Sequence, residues 1–166
     1  ENNAFQTCTR MTSISFTASV ERIGIGAFSS CTNMTTVSFA ANSRLKSIGR
    51  EAFNGCNNLL AVSIPDSVSI IGYSAFDACS KLASLSFSTN SQLTTIDQQA
   101  FRNTALTSVT IPASVRYILN AAFVNCSHLA SVTFAEGSRL ANIGPYAFRL
   151  TALTSVTIPA SVKIIN

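Results

Sequence analysis

Five cysteines, Cys8, Cys31, Cys56, Cys79 and Cys126, carry the softest and most nucleophilic groups in this chain. Each lies three residues after a phenylalanine. A thiolate metal site needs cysteine pairs two to four residues apart, and the closest pair here is 23 apart. Disulfides between neighbouring repeats are sterically conceivable, but an odd count leaves one thiol over, and Thr104 and Thr151 stand where two further cysteines would fall. A ladder of buried free thiols packing as small apolar groups is the expected arrangement. His128, the single histidine, shares its column with Asn33, Asn58 and Lys81, a polar, variable set that suits an exposed turn better than a general base. The acids Glu21, Glu51, Asp66, Asp77, Asp97 and Glu136 fall in loop columns without a repeated partner. No paired-carboxylate, Ser/His/Asp or phosphate-loop constellation assembles from these groups. No catalytic, cofactor-binding or metal-binding residue is assigned, no cofactor is implied, and no enzymatic activity is expected.

The elements that position these groups are repeats. All eleven phenylalanines fall in two columns. The first is Phe5, Phe28, Phe53, Phe76, Phe101, Phe123 and Phe148, with gaps of 23, 25, 23, 25, 22 and 25 residues. The second is Phe16, Phe39, Phe87 and Phe134, alternating with Ile64, Ile111 and Ile158. A period in the twenties marks a solenoid whose units bury their apolar sides against one another.

Within each unit a frame such as Leu59-x-x-Val62-x-Ile64 alternates apolar with small hydroxylated residues. That is the period-2 signature of a strand with one buried face. Seven strands centred on Ile14, Val37, Val62, Leu85, Val109, Val132 and Val156 are predicted to stack in parallel. Pro65, Pro112 and Pro159 follow three of them and end the ladder there. Two inward apolar residues come next, for example Val68 and Ile71, then Gly24, Gly49, Gly72 or Gly144, where a turn with positive φ is expected. Asp97 and Leu119 replace that glycine in two units. Segments such as Arg50-Glu51-Ala52-Phe53 are expected to make one helical turn on the outer side. Short units carry Pro-x-Ser-Val, whereas long units insert two residues, as in Phe39 to Leu45, Phe87 to Leu93 and Phe134 to Leu140. These insertions should bulge on alternate coils beside the strand.

Hydrophobic residues make up 47% and charged residues 11% of 166, which excludes an intrinsically disordered chain. The net charge of +4 is spread over basic residues scattered from Arg10 to Lys163. With the aromatics committed to the repeat columns, nucleic-acid binding is not expected. No apolar stretch reaches the roughly 18 residues of a membrane span, so this segment is not expected to insert directly into a membrane. The chain starts and stops inside repeats without atypical caps, as a segment of a longer array would.

The combination Leu-x-x-Val-x-Ile-Pro-x-Ser-Val-x-x-Ile-Gly, followed by Ala-Phe-x-x-Cys-x-x-Leu, resembles the BspA-type leucine-rich repeat over essentially the whole chain. The resemblance implies one domain over residues 1–166. Its fold would be an α/β solenoid, a right-handed coil of about seven turns with a parallel β-sheet on the concave side and short helical turns on the convex side. It also implies an extracellular or cell-surface location and adhesion to a protein partner, such as a host extracellular-matrix or cell-surface protein.

The outward strand face is the surface with functional shape. Its candidate partner-binding residues are Thr36, Ser38, Ser63, Ser84, Ser86, Ser108, Thr110, Ser131, Thr133, Ser155 and Thr157. Arg44, Gln92 and Arg139 form a polar and basic edge on the long-unit insertions. Such an edge suits acidic partners, although the face lacks the Trp, Tyr and Arg that dominate protein hot spots. A purely structural spacer is the alternative reading. Ice binding through Ser/Thr rows is a remote one, because only three of the seven pairs have Thr at the second site.

Overall fold

The computed structural model describes residues 2–166. β-branched and apolar residues at alternate positions produce six four-residue strands: β1 (Ser13–Phe16), β3 (Thr36–Phe39), β5 (Ala61–Ile64), β7 (Ser84–Phe87), β9 (Ser108–Ile111) and β11 (Ser131–Phe134). Every pairing is parallel and equivalent columns meet, with Ile14 opposite Val37 and Val62 opposite Leu85. Each of these six strands therefore sits where the alternation places it. The seventh does not form: Val156 lies outside any strand. The ladder also divides into β1-β3-β5-β7 and β9-β11. Both departures fall in the two units that carry Thr104 or Thr151 and are one residue shorter between phenylalanine and strand. Elsewhere an amide at the strand entrance reaches the preceding coil, as from Thr35 to the Thr12 carbonyl (2.8 Å) and from Ala83 to that of Leu60 (3.0 Å). Among the described residues, Thr107 and Thr154 make no such bond.

A second parallel ladder runs the length of the molecule through two-residue strands. These are β2 (Arg22–Ile23), β4 (Ser47–Ile48), β6 (Ile70–Ile71), β8 (Thr95–Ile96), β10 (Tyr117–Ile118), β12 (Asn142–Ile143) and β13 (Ile164–Ile165). Its inward column is the second apolar position of each unit, and Ile48, Ile71, Ile96 and Ile118 are buried. Tyr117 opens β10 and is exposed.

The outer turns correct the expected helical turn, because the described residues contain no α-helix. Each turn instead places positive φ two residues before and two residues after its phenylalanine. Glu51 (φ 55°) and Gly55 (φ 70°) flank Phe53, and Ser74 (φ 50°) and Ala78 (φ 58°) flank Phe76. This backbone aims alternate amides at the next coil rather than back into its own. Glu51, Phe53 and Gly55 donate to the carbonyls of Tyr73, Ala75 and Asp77 at 2.8, 2.8 and 2.9 Å. A left-handed non-glycine residue costs about 1 kcal/mol or more, and this set of inter-coil bonds offsets it. Helix amides would satisfy themselves locally and leave the coils unlinked.

The recurrent glycine also has a different cause from the one expected. Positive φ is found at Gly26, Gly55 and Gly137, not at Gly24, Gly49, Gly72 or Gly144. At Gly49 a Cβ would lie 2.7 Å from the Ile23 carbonyl oxygen of the preceding coil. Close stacking of the coils, not a left-handed turn, is what excludes a side chain there.

Between the ladders and the turns runs one core. Phe53, Phe76, Phe101 and Phe123 are fully buried, and successive rings of the first column stack 5.2–5.4 Å apart at 2–12°.

Candidate functional site

Each four-residue strand turns its even positions into this core and its odd positions outward. Thr36, Ser38, Ser63, Ser84, Ser86, Ser108, Thr110, Ser131 and Thr133 therefore share one exposed face. Parallel register aligns them in rows: Ser63 is opposite Ser86 and Thr110 opposite Thr133. Some hydroxyls bridge coils directly, Ser15 to Ser38 at 2.8 Å and Thr110 to Thr133 at 2.9 Å. Ser155 and Thr157 are exposed but lie where the seventh strand is missing.

The insertions bulge at the strand ends, and a repeated local bond shapes them. Ser43, Ser91 and Ser138 accept the amides of Leu45, Leu93 and Leu140 at 3.2, 3.2 and 3.3 Å, closing the same short turn each time. The next amides anchor the bulge to the preceding coil: Arg44 to the Ala18 carbonyl, Gln92 to that of Asp66 and Arg139 to that of Ala113. Arg44, Gln92 and Arg139 are thus exposed equivalents on alternate coils.

The bulges create a feature that the strand pattern does not disclose. Recesses open between them above the short units, with volumes of about 420 Å3 over Pro65 and about 470 Å3 over Pro112. Ile64 and Ile111 on the short coils are buried, whereas Phe39 and Phe87 on the long coils are half-buried and line these recesses. The alternation of Phe with Ile and the two-residue insertions were the signals for it.

The thiols serve the fold. Cys31, Cys56, Cys79 and Cys126 are buried. Their sulfhydryls donate to the carbonyls of Phe5, Phe28, Phe53 and Phe101 at 3.1–3.2 Å, one coil back in every case. They are thus hydrogen-bond donors as well as small apolar fillers. The Thr104 hydroxyl donates to the Phe101 carbonyl of its own coil and lies 3.1 Å from Cys126 Sγ, which is why threonine substitutes there. Burial is the chief cause that pushes the Cys56 thiol up to about 12 and that of Cys79 well above its ordinary value. Both are therefore poor nucleophiles at neutral pH. His128 is exposed on its turn.

One polar cluster escaped the sequence reading. Asp77, buried on the turn side, accepts from Arg102 Nε at 3.0 Å and Nη2 at 2.6 Å, and from Asn103 Nδ2 at 3.1 Å. Asn125 continues the chain to Asn103 at 2.6 Å. Asp77 and Arg102 occupy the same column of consecutive coils, each one residue after its phenylalanine, so opposite charges at equivalent positions were the available signal. The carboxylate and guanidinium satisfy each other in fork geometry.

Stacked coils, two parallel ladders and an open face of aligned side chains define a repeat solenoid of the leucine-rich class. More closely, the BspA-type leucine-rich repeat region matches residues 1–127 and 46–166 in six copies, and the chain belongs to that family. Among curated proteins none matches. Solved structures share the fold. The leucine-rich repeat protein TpLRR of T. pallidum is 25% identical at a TM-score of 0.74, over 86% of this chain and 64% of its own. A leucine-rich cell surface protein of Faecalibacterium prausnitzii is 29% identical at 0.59, over 77% of this chain and 39% of its own. The pneumococcal vaccine antigen PcpA is 23% identical at 0.61, over 92% and 52%, a likeness of fold alone. The chain therefore spans less than two thirds of each of these structures.

Proposed function

We propose that this chain is a non-enzymatic protein-binding module of a cell-surface protein and adheres to a host matrix or cell-surface protein. The observation that carries the reading is the exposed strand face. It presents hydroxyls in register within each of two ladders, Ser15 with Ser38 and Ser63 with Ser86 in the first and Thr110 with Thr133 in the second, bordered on alternate coils by Arg44, Gln92 and Arg139. Family membership supports it, as does the cell-surface description of the Faecalibacterium protein. Hydroxyl-rich contacts without aromatic anchors give weak individual bonds, so a long array would gain its avidity from repetition. Purified chain should bind at least one of a panel of immobilised host matrix proteins in surface plasmon resonance. The double reversal Arg44→Glu with Arg139→Glu should weaken that binding and reduce its salt sensitivity. Absence of binding across the panel would favour the spacer reading. An unchanged affinity in the double variant would remove the basic edge from the site.

A further inference from the structure

Folding sorts the basic residues into two kinds. On the turn side they are engaged: Arg50 with Glu51 and over the Tyr73 ring, Arg102 with Asp77, and Arg149 over the Tyr146 ring. Lys81 Nζ donates to Asn58 Oδ1 at 2.7 Å. Arg22, Lys46, Arg116 and Lys163 instead lie exposed on the two-residue ladder, in its strands or one residue before them. Among the described residues, none of these four side chains makes a hydrogen bond, ion pair or ring contact.

Unlike the strand face, this ladder runs unbroken through all seven of its strands. Its entrance column is pinned from coil to coil by backbone amides. Arg116 donates to the Thr94 carbonyl, Ala141 to that of Arg116 and Lys163 to that of Ala141, each at 2.9 Å. Arg116 and Lys163 therefore stand in one column, two coils apart, with the small Ala141 between them. Tyr117 and Asn142 pair in register beside that column. Tyr117 is 44% exposed, and among the described residues the Asn142 side chain bonds to no protein group.

The two ends of the ladder differ in charge. Residues 1–97 hold six bases and six acids, whereas residues 98–166 hold five bases and one acid, so the whole net charge of +4 falls in the last three coils. Glu21 is next to Arg22, and its carbonyl accepts the Lys46 amide at 2.7 Å, so it opposes both cations. Beyond it, the Asp97 carboxylate is taken by the amide of Gln98 at 2.6 Å. In the last three coils the one acid, Glu136, lines the strand-side recess over Pro112. Arg139, two residues before Ala141, adds an exposed cation at the border. A face of two-residue strands has no helix or projecting ribbon to enter a nucleic-acid groove and no row of aromatics to stack single-stranded bases. It also lacks the seated aromatic anchors of a protein hot spot. It offers fixed cations, one exposed ring and one free amide in a line, which suits a linear chain that carries anions on sugar rings. Arginine meets an oxyanion with its planar fork, and the apolar face of a sugar can lie against a tyrosine ring. We propose that Arg116, Tyr117, Asn142 and Lys163 form a binding face for a sulfated polysaccharide, separate from the strand face and independent of its reading.

The test follows the fluorescence anisotropy of a labelled heparin oligosaccharide over a series of salt concentrations. A desulfated oligosaccharide of the same length, polyglutamate and a single-stranded oligonucleotide are the controls, and heparin should bind more tightly than all three. Two double reversals change the net charge equally. Arg116→Glu with Lys163→Glu should weaken heparin binding at least about tenfold and flatten its salt dependence. Arg22→Glu with Lys46→Glu should weaken it less than about threefold at physiological salt, where screening confines a charge to about 8 Å. Tyr117→Ala should weaken it without changing the salt dependence. Circular dichroism melting checks that the variants are folded. Equal losses in the two charge variants, full binding by Tyr117→Ala, a control that binds as tightly as heparin, or no heparin binding overturns the proposal. Arg44 and Arg139, changed in the matrix-protein test, stay intact here. Loss of matrix-protein binding with heparin binding kept removes only the strand-face reading, and the converse removes only this one.

Discussion

The turn side and the strand side of each coil share one period and treat it differently. On the turn side seven units repeat a single solution: a stacked phenylalanine, two left-handed residues around it, and a cysteine or threonine three residues on. On the strand side two solutions alternate. Proline-bearing coils, with Ile64 and Ile111 buried, follow bulged coils with a half-buried phenylalanine. A column that never varies is filled by the contact between coils and has no surface to offer. A column that alternates leaves steps, and steps are where a partner finds shape. The turn side holds the solenoid together, and the strand side is where the proposed partner would bind.

The largest expected effect breaks this comparison directly. Phe76 is fully buried between Phe53 and Phe101, with rings 5.2 and 5.4 Å away. Phe76→Ala should cost about 3–5 kcal/mol through lost transfer energy and a cavity. Phe87, half-buried on the strand side, should lose no more than about half as much on truncation, because part of its ring is already in water. Urea denaturation of both variants is the check. Equal losses would mean that the alternating column is as much a part of the core as the constant one.

A smaller effect separates two kinds of glycine. A Cβ at Gly49 would meet the Ile23 carbonyl oxygen at 2.7 Å, whereas a Cβ at Gly137 meets nothing within 4 Å and suffers only from its φ of 70°. Gly49→Ala should cost about 1–3 kcal/mol through overpacking, and Gly137→Ala about 1 kcal/mol through backbone strain. Asp97 and Leu119 carry side chains in the Gly49 column and still reach the preceding carbonyl at 3.0 Å, against 2.9 Å for Gly49 itself. The backbone can therefore give way, which places the Gly49 cost toward the lower end. Thermal melts that rank Gly137→Ala as the more damaging would reverse the argument.

Much of the strand side was legible from the sequence, because alternation over four residues is a local pattern. Val37, Val62, Leu85, Val109 and Val132 all lie buried in the predicted strands. The two-residue ladder through Ile48 and Ile71 was not legible as strand, since so short an element shows no alternation. Arg50-Glu51-Ala52-Phe53 reads as helical by composition. Its amides are taken instead by Tyr73 and Ala75 of the next coil, and no window on one coil contains that competition. For the candidate site, the rows and bulges followed from spacing. The recesses required knowing that the proline coils sit lower than their neighbours. The missing strand at Val156 and the divided ladder before Ser108 both fall in units one residue short, near Thr151 and Thr104.

A third effect tests whether the cysteine column acts through its hydrogen bond. Cys56→Ala removes the donor to the Phe28 carbonyl, whereas a threonine hydroxyl can donate to the phenylalanine carbonyl of its own coil, as Thr104 and Thr151 do, so threonine should be the milder change by about 1 kcal/mol. The pH dependence has a definite sign. The folded-state value of Cys56 is raised to about 12 from an ordinary 9.0, chiefly by burial. Below pH 9 both states keep the proton and stability is unaffected. Between about 9 and 12 the unfolded chain releases a proton that the folded chain retains, so stability falls with rising pH, by up to about 1.4 kcal/mol per unit for this group. Denaturation at a series of alkaline pH values should show a shallower decline in Cys56→Thr than in the parent chain. Identical slopes would mean that this thiol is not protected from solvent.

The smallest effect is the sharpest test of which side is read. Ser86 lies in the middle of the exposed face, on a strand whose alternate residues Leu85 and Phe87 point toward the core. Its hydroxyl makes no hydrogen bond among the described residues, unlike those of Ser15 and Ser38, which bond each other at 2.8 Å. Ser86→Ala deletes an oxygen that water already solvates, leaves the ladder amides untouched and creates no cavity. Stability should change by no more than about 0.5 kcal/mol. If Ser86→Ala leaves the melting curve in place while weakening capture by a partner, its hydroxyl belongs to the binding surface. A loss of stability comparable to that of Phe76→Ala would show that this face is core and that the division between a holding side and a reading side is wrong.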